Sequence, residues 1–204
     1  MRRLLLGAIA AICLSACETT PVPVVMEDAA FQAAIANAKT PWHPYNKMNA
    51  MDAIIANNVL SPAQTSRILY ERAVIQTDAR INLPEAVNKL NESRSLTTTT
   101  LFSSNFQTVM STAQSELSQA QSRLNGLQTL PDWFDDMVAV GKLDEAAERY
   151  RQSGLAPDPY DAATLEAAGY LCRQRILGKS DDFTLGENID HLKNIDWCTQ
   201  PENS

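Results

Sequence analysis

From Met26 onward the apolar positions recur at spacings of three and four, and no stretch alternates apolar with polar residues as a half-buried strand would. The pattern predicts a first helix over 27–39, with Phe31, Ala34, Ile35 and Ala38 on one stripe. Pro41-Trp42-His43-Pro44-Tyr45 ends it, because proline cannot continue a helix. A second helix is predicted over 46–58, with Met48, Met51, Ile54 and Ile55 inward. Ser61-Pro62 combines a hydroxyl N-cap with proline at the first helical position, and starts a third helix that runs to about Ala79. Pro84 opens a fourth that runs to about Leu96. The longest helix is predicted over 101–128, where Phe106, Met110, Ala113, Leu117, Ala120, Leu124 and Leu127 form a heptad seam. Two shorter helices, 131–140 and 143–153, flank Gly141, and an eighth runs from Pro159 to about Leu177. Ser180-Asp181-Asp182 can cap a last short helix around 186–195. The predicted fold class is all-α: an array of antiparallel helical hairpins with one long central helix. That helix reads as packed across the domain, with a self-associating coiled coil or a partner-binding element as alternatives.

Length and charge narrow the picture. At 204 residues the chain is long enough for a buried core. Its 17 basic and 24 acidic residues give a net charge of -7, which excludes a phosphate-neutralising basic surface and hence nucleic acid as a partner. With two histidines and no HExxH, GxSxG, GxxxxGK[ST] or GxGxxG motif, the sequence predicts no catalytic residue, metal or cofactor.

The first residues carry a separate signal. Arg2 and Arg3 precede an apolar run from Leu4 to Ala16, which is too short to span a bilayer of roughly 30 Å as a helix. Residues 1–16 therefore read as a secretory signal peptide. Its end, Leu14-Ser15-Ala16-Cys17, resembles the bacterial lipobox at every position. An ordinary cleavage site beside an incidental cysteine is the alternative. The resemblance implies lipidation at Cys17, with diacylglycerol on the sulfur and an acylated amino group, so the bilayer becomes a partner. Two or three acyl chains anchor a protein stably where one does not. Glu18, rather than aspartate, implies the periplasmic face of the outer membrane as the destination, with surface exposure left open. Residues 17–25, with two prolines, form the lipidated tether, and 26–204 the helical domain. Loss of Arg2 and Arg3 leaves 15 basic residues against 24 acidic, a charge of -9. Cys13 leaves with the signal peptide, so Cys172 and Cys198 remain as an even pair in an oxidising compartment, which predicts a disulfide. Closing about 27 residues, it would contribute roughly 3.5 kcal/mol and staple the C-terminal tail.

Two stretches are similar to tetratricopeptide repeats, which pair antiparallel helices at a period near 34 residues. The closer likeness covers 130–159, centred on Gly141-Lys142-Leu143-Asp144-Glu145-Ala146-Ala147-Glu148-Arg149-Tyr150. The resemblance implies Gly141 in the turn, Ala146 at a close helix contact and Tyr150 filling the next groove. The looser likeness lies near 61–96 and uses Leu69 to Ala73, Ala86, Leu90 and Ser93. There Ala73 and Ala86 would take turn and packing positions of the repeat, but the turn is one residue too long and Ala73 stands where the repeat favours glycine. A generic array of helical hairpins would want the same residues, and the long helix between the two stretches departs from a regular array.

Other eye-catching groups have plain readings. Trp42-His43-Pro44-Tyr45 reads as an inter-helix corner with its aromatics buried, and Asp135-Asp136 and Asp181-Asp182 as helix caps. His191 reads as a surface or half-buried residue. Hairpin arrays offer extended surfaces for protein partners. The expected function is accordingly a non-enzymatic adaptor or scaffold in the cell envelope, with unidentified envelope proteins as partners. A structural subunit of a larger envelope, secretion or pilus complex is the alternative, followed by a peptidoglycan-acting enzyme.

Overall fold

The computed structural model describes residues 24–97 and 103–177. Eight helices follow one another there, with no strand among the described residues: α1 (Asp28–Ala38), α2 (Pro44–Asn57), α3 (Pro62–Ala79), α4 (Leu83–Leu96), α5 (Ser103–Leu124), α6 (Leu130–Ala139), α7 (Leu143–Gln152) and α8 (Pro159–Leu177). Consecutive helices pack on each other, and α5 also reaches back to α3. The fold is all-α, as the spacing predicts. No helix among the described residues is long and apolar enough to cross a membrane. Residues 1–23 and 178–204, with the lipobox, Cys198, His191, Asp181-Asp182 and the helix expected at 186–195, lie outside the described residues, as does the side chain of Cys172.

Local chemistry sets the starts. Ser61 Oγ accepts the Gln64 backbone N–H at 3.2 Å, and Gln64 Oε1 accepts the Ser61 N–H at 2.9 Å, a reciprocal box that satisfies two donors at the head of α3. The Gln64 amide also donates to the Met26 carbonyl at 2.8 Å, which ties the segment before α1 to α3. Thr129 caps α6 through the Asp132 N–H. Two boundaries differ from expectation. α2 begins at Pro44 rather than 46, since proline is acceptable at N1 and only forbids what lies before it. α5 stops at Leu124 rather than 128, so Leu127 leaves the seam and is fully exposed. Asn125 and Gly126 follow the last turn, and local termination overrides the heptad step.

The α3–α4 hairpin closes on small residues. Ala73 and Ala86 are fully buried with Leu90, Tyr70 and Phe106. One heptad away from these, Ser66 Oγ donates to the Ser93 carbonyl at 2.8 Å and Ser93 Oγ to the Ser66 carbonyl at 2.7 Å. Small side chains let the backbones approach, and the hydroxyls satisfy each other inside the contact. Phe106, Ala113 and Ala120 of α5 are buried by the neighbouring helices, which occupies the seam a self-associating coiled coil would need.

The α6–α7 hairpin turns at Gly141, whose φ is +83. Ala146 is fully buried, and Tyr150 meets Phe134 edge-on with ring centroids 5.0 Å apart. The turns of the two hairpins touch. The Asn82 N–H donates to the Val138 carbonyl at 2.9 Å, and Gly141 lies against the Asn82 side chain. The largest core draws Tyr45 and Met48 of α2 together with Phe134, Met137 and Val138 of α6 and residues of α7 and α8. Helices distant in sequence thus share one core, unlike a solenoid in which each repeat meets only its neighbours.

Candidate functional site

Two clefts open on either side of Arg80 and Asp135. Arg80 follows α3 in a left-handed conformation (φ 53), which sends its side chain across to α5 and α6.

The wider cleft, about 710 Å³, lies between the end of α5 and α6. Asp136 forms its wall and is 2% exposed. It is not a helix cap, the role expected for it. It sits within α6 and collects cations from two other segments. Arg123 Nη2 donates to Oδ1 at 2.7 Å and Nε to Oδ2 at 2.9 Å, a bidentate fork. Arg80 adds a bond to Oδ1 at 3.0 Å and Gln128 one to Oδ2 at 3.1 Å. Burial alone would raise the Asp136 carboxyl, but the bonds from Arg123 and Arg80 outweigh it and hold the group below its ordinary range. Every lone pair has a donor, so the arrangement is a lock between α3, α5 and α6.

The narrower cleft, about 290 Å³, lies between the end of α3, α6 and the start of α8. Its inner wall is Phe134, Asp161 and Thr164, all buried. Its mouth holds Asp78, Asp135, Asp158 and Tyr160, all exposed. Asp158 caps α8 by accepting the Tyr160 and Asp161 N–H groups, each at 2.8 Å. Asp161 is raised by burial and then by Asp158, against a hydrogen bond from the Tyr150 hydroxyl. Desolvation by the cleft walls, followed by the charge of Asp161, pushes Asp135 up to about 6 despite Arg80. Thr164 is 2% exposed, and its Oγ1 has no hydrogen-bond partner among the described residues. The lining here sets four carboxylates against Arg80, where the wider cleft sets three against Arg80 and Arg123.

A cluster of rings joins this cleft to α2. His43 is fully buried, stacks on Tyr45 at 5.7 Å, meets Trp42 edge-on at 5.0 Å and touches Tyr160 at 5.3 Å. Neither ring nitrogen has a hydrogen-bond partner among the described residues, and burial lowers the imidazole to about 4. It is therefore neutral at physiological pH. Tyr45 is buried as expected, but Trp42 is not: it is 68% exposed, standing outside the corner it was expected to fill.

The residues singled out in the sequence fall into two sets. Gly141, Ala146 and Tyr150 come together in the α6–α7 hairpin, and Ala73 and Ala86 in the α3–α4 hairpin. Tyr150 alone of these reaches the narrower cleft, through Asp161. Sequence reasoning missed Arg80, Tyr160, Asp161 and Thr164. Only Pro159 marked the place, and it reads simply as a helix start. No group of three or more His, Cys, Asp or Glu side chains among the described residues could hold a metal ion. Comparison with known protein families, curated proteins and solved structures finds no match to the chain.

Proposed function

We propose that the chain is a lipid-anchored envelope lipoprotein on the periplasmic face of the outer membrane, acting as a non-enzymatic adaptor for envelope proteins. The observation that carries the reading is a lipobox-like Leu14-Ser15-Ala16-Cys17 placed ahead of an all-helical hairpin array whose clefts face solvent. The motif supplies the anchor, Glu18 the destination, and the tether through residue 25 the reach. The similarity of 61–96 and 130–159 to tetratricopeptide repeats supports a protein-holding role, because such hairpins offer surfaces rather than reacting groups. Two functions of the array follow: to keep partners near the membrane, and to present them with a fixed acidic and aromatic face.

The test is affinity purification of the chain from cross-linked membranes, beside a Cys17→Ser variant. Label from a fatty-acid probe on the parent but not on the variant, with envelope proteins recovered only by the anchored form, is the expected result. Label persisting on the Cys17→Ser variant would overturn the anchor. Recovery at fixed stoichiometry with one set of subunits would replace the adaptor by a structural subunit.

A further inference from the structure

We propose that the end of the array where the chain enters α1 and the α2–α3 turn lies is a seat for a bilayer surface, with Val24, Val25 and Val59 resting in the lipid interface while Cys17 anchors the chain.

Two stretches without charge meet at this end. In a chain of which 20% is charged, neither Thr19 to Met26 nor Ala53 to Ser66 contains an Asp, Glu, Lys or Arg. The Met26 N–H donates to the Val59 carbonyl at 2.9 Å, and Gln64 Nε2 donates to the Met26 carbonyl at 2.8 Å. These bonds fix the segment that enters the domain against the α2–α3 turn. Met26 and Leu60 turn inward and pack on the core of α1, α2 and α3. Their neighbours stay outside: Val24 is 85% exposed, Val25 45% and Val59 44%. Apolar groups left in water on a surface depleted of charge mark a contact face. The charges that follow the first stretch, Glu27 and Asp28, are acidic, and Asp28 is held by Gln64 at 3.1 Å. The surface that fits is therefore zwitterionic, since anionic headgroups attract basic segments.

The course of the chain says what covers this face. Cys17 precedes Val24 by seven positions, a reach of at most about 25 Å when fully extended. With Cys17 lipidated, the reading on which this inference rests, Val24 cannot leave the neighbourhood of the headgroups. Three valines bury too little area to hold a protein on a bilayer by themselves. A short tether makes the contact intramolecular, with an effective concentration in the millimolar range, so a weak patch is enough.

The seat also orients the array. α3 starts at this end and runs 18 residues to Arg80, about 26 Å at the helical rise. Arg80 lines both clefts, so they sit at the end of α3 remote from the seat. A partner held there is presented away from the lipid.

The test reconstitutes the lipidated full chain in phosphatidylcholine vesicles, with or without lipids brominated near the headgroup end of the acyl chains. Val59→Trp is compared with Leu155→Trp, an exposed site between α7 and α8, and the emission of the parent is subtracted from each. Bromine quenches only at contact range. The emission added at 59 should fall by about half or more, and that added at 155 by less than about one-tenth. Val25→Asp in the Val59→Trp background should restore the emission, because a carboxylate resists entering the interface. Circular dichroism should show every variant folded, and a fatty-acid probe reports Cys17 in the same preparations. Label at Cys17 with equal quenching at 59 and 155, or quenching at 59 that Val25→Asp leaves intact, would overturn the seat and leave the anchor standing. Absence of label at Cys17 would overturn both. A photo-cross-link from position 59 to an envelope protein, without quenching on vesicles, would give the face to a protein partner and overturn the seat.

Discussion

Gly141→Ala tests whether the two hairpins are truly joined at their turns. A Cβ on Gly141 would lie 2.6 Å from Asn82 Oδ1 and 3.2 Å from its Cγ. The first distance is well inside van der Waals contact, so Asn82 must move. Its side chain is occupied: Oδ1 accepts the Glu85 N–H at the head of α4, and Nδ2 donates to Glu85 Oε2 at 2.8 Å. Losing that cap costs about 1 kcal/mol. Separately, φ of +83 is left-handed, which costs a residue with a Cβ about 1–2 kcal/mol. The sum is about 2–3 kcal/mol, a fall in Tm of about 5–10 °C for a domain of this size. Urea and thermal unfolding measure it. The two components separate in a double-mutant cycle with Asn82→Gly, which removes the side chain while tolerating the φ of 44 at position 82. In that background Gly141→Ala should cost only its backbone share, a coupling of about 1 kcal/mol. Equal costs in both backgrounds would refute the contact between turns, and a Gly141→Ala variant within about 0.5 kcal/mol of the parent would refute the whole account.

Further expectations follow from the buried charges and the tail. Asp136→Asn should destabilise by about 1–3 kcal/mol at neutral pH, since the half-exposed arginines retain some solvation. Because the folded carboxyl lies below its unfolded value, its contribution is present above about pH 4 and is lost as pH falls through the folded pKa; the variant and parent should converge there in acid unfolding. His43→Phe should be neutral or stabilising, because two unpartnered ring nitrogens disappear while the stacking stays. Lowered to about 4, His43 must gain a proton on unfolding, so the parent should lose up to about 3 kcal/mol as pH falls from about 6.5 to 4, and a pH series should find the Phe variant without that slope. The proposed periplasmic location predicts that non-reducing peptide mapping finds Cys172 joined to Cys198, and two free thiols would remove the expected staple.

What the sequence discloses here is local. Ser61-Pro62 starts a helix through bonds that span three residues, and the apolar stripe of α5 follows from periodicity alone. The same periodicity overran the end of α5, because a heptad step says nothing about the backbone beyond Leu124. Trp42 misled for a related reason: an aromatic beside prolines reads as corner filling, yet His43 and Tyr45 fill that corner and leave Trp42 outside. Asp136 was illegible, since its partner Arg80 is 56 residues away and the adjacent Asp135 looks identical in one dimension. Thr164 and Asp161 acquire meaning only when α8 is laid beside α6.

Arg80 links the two clefts and explains why they differ. Each is lined by both Arg80 and Asp135. If Arg80 turned towards Asp135, the narrower cleft would be neutralised and Asp136 would depend on Arg123 and Gln128 alone. It turns the other way because Asp136 is the more buried carboxylate, at 2% exposure, and so has more to gain from a second guanidinium than the exposed Asp135. Glu116 of α5 holds it from the same side. The guanidinium that closes the lock between α3, α5 and α6 also lines the cleft at α8, but its ion pairs are with Asp136 and Glu116, so in that lining one cation stands against four carboxylates. The acidity of that cleft is a consequence of how the core is held together, and it will persist for as long as the lock does.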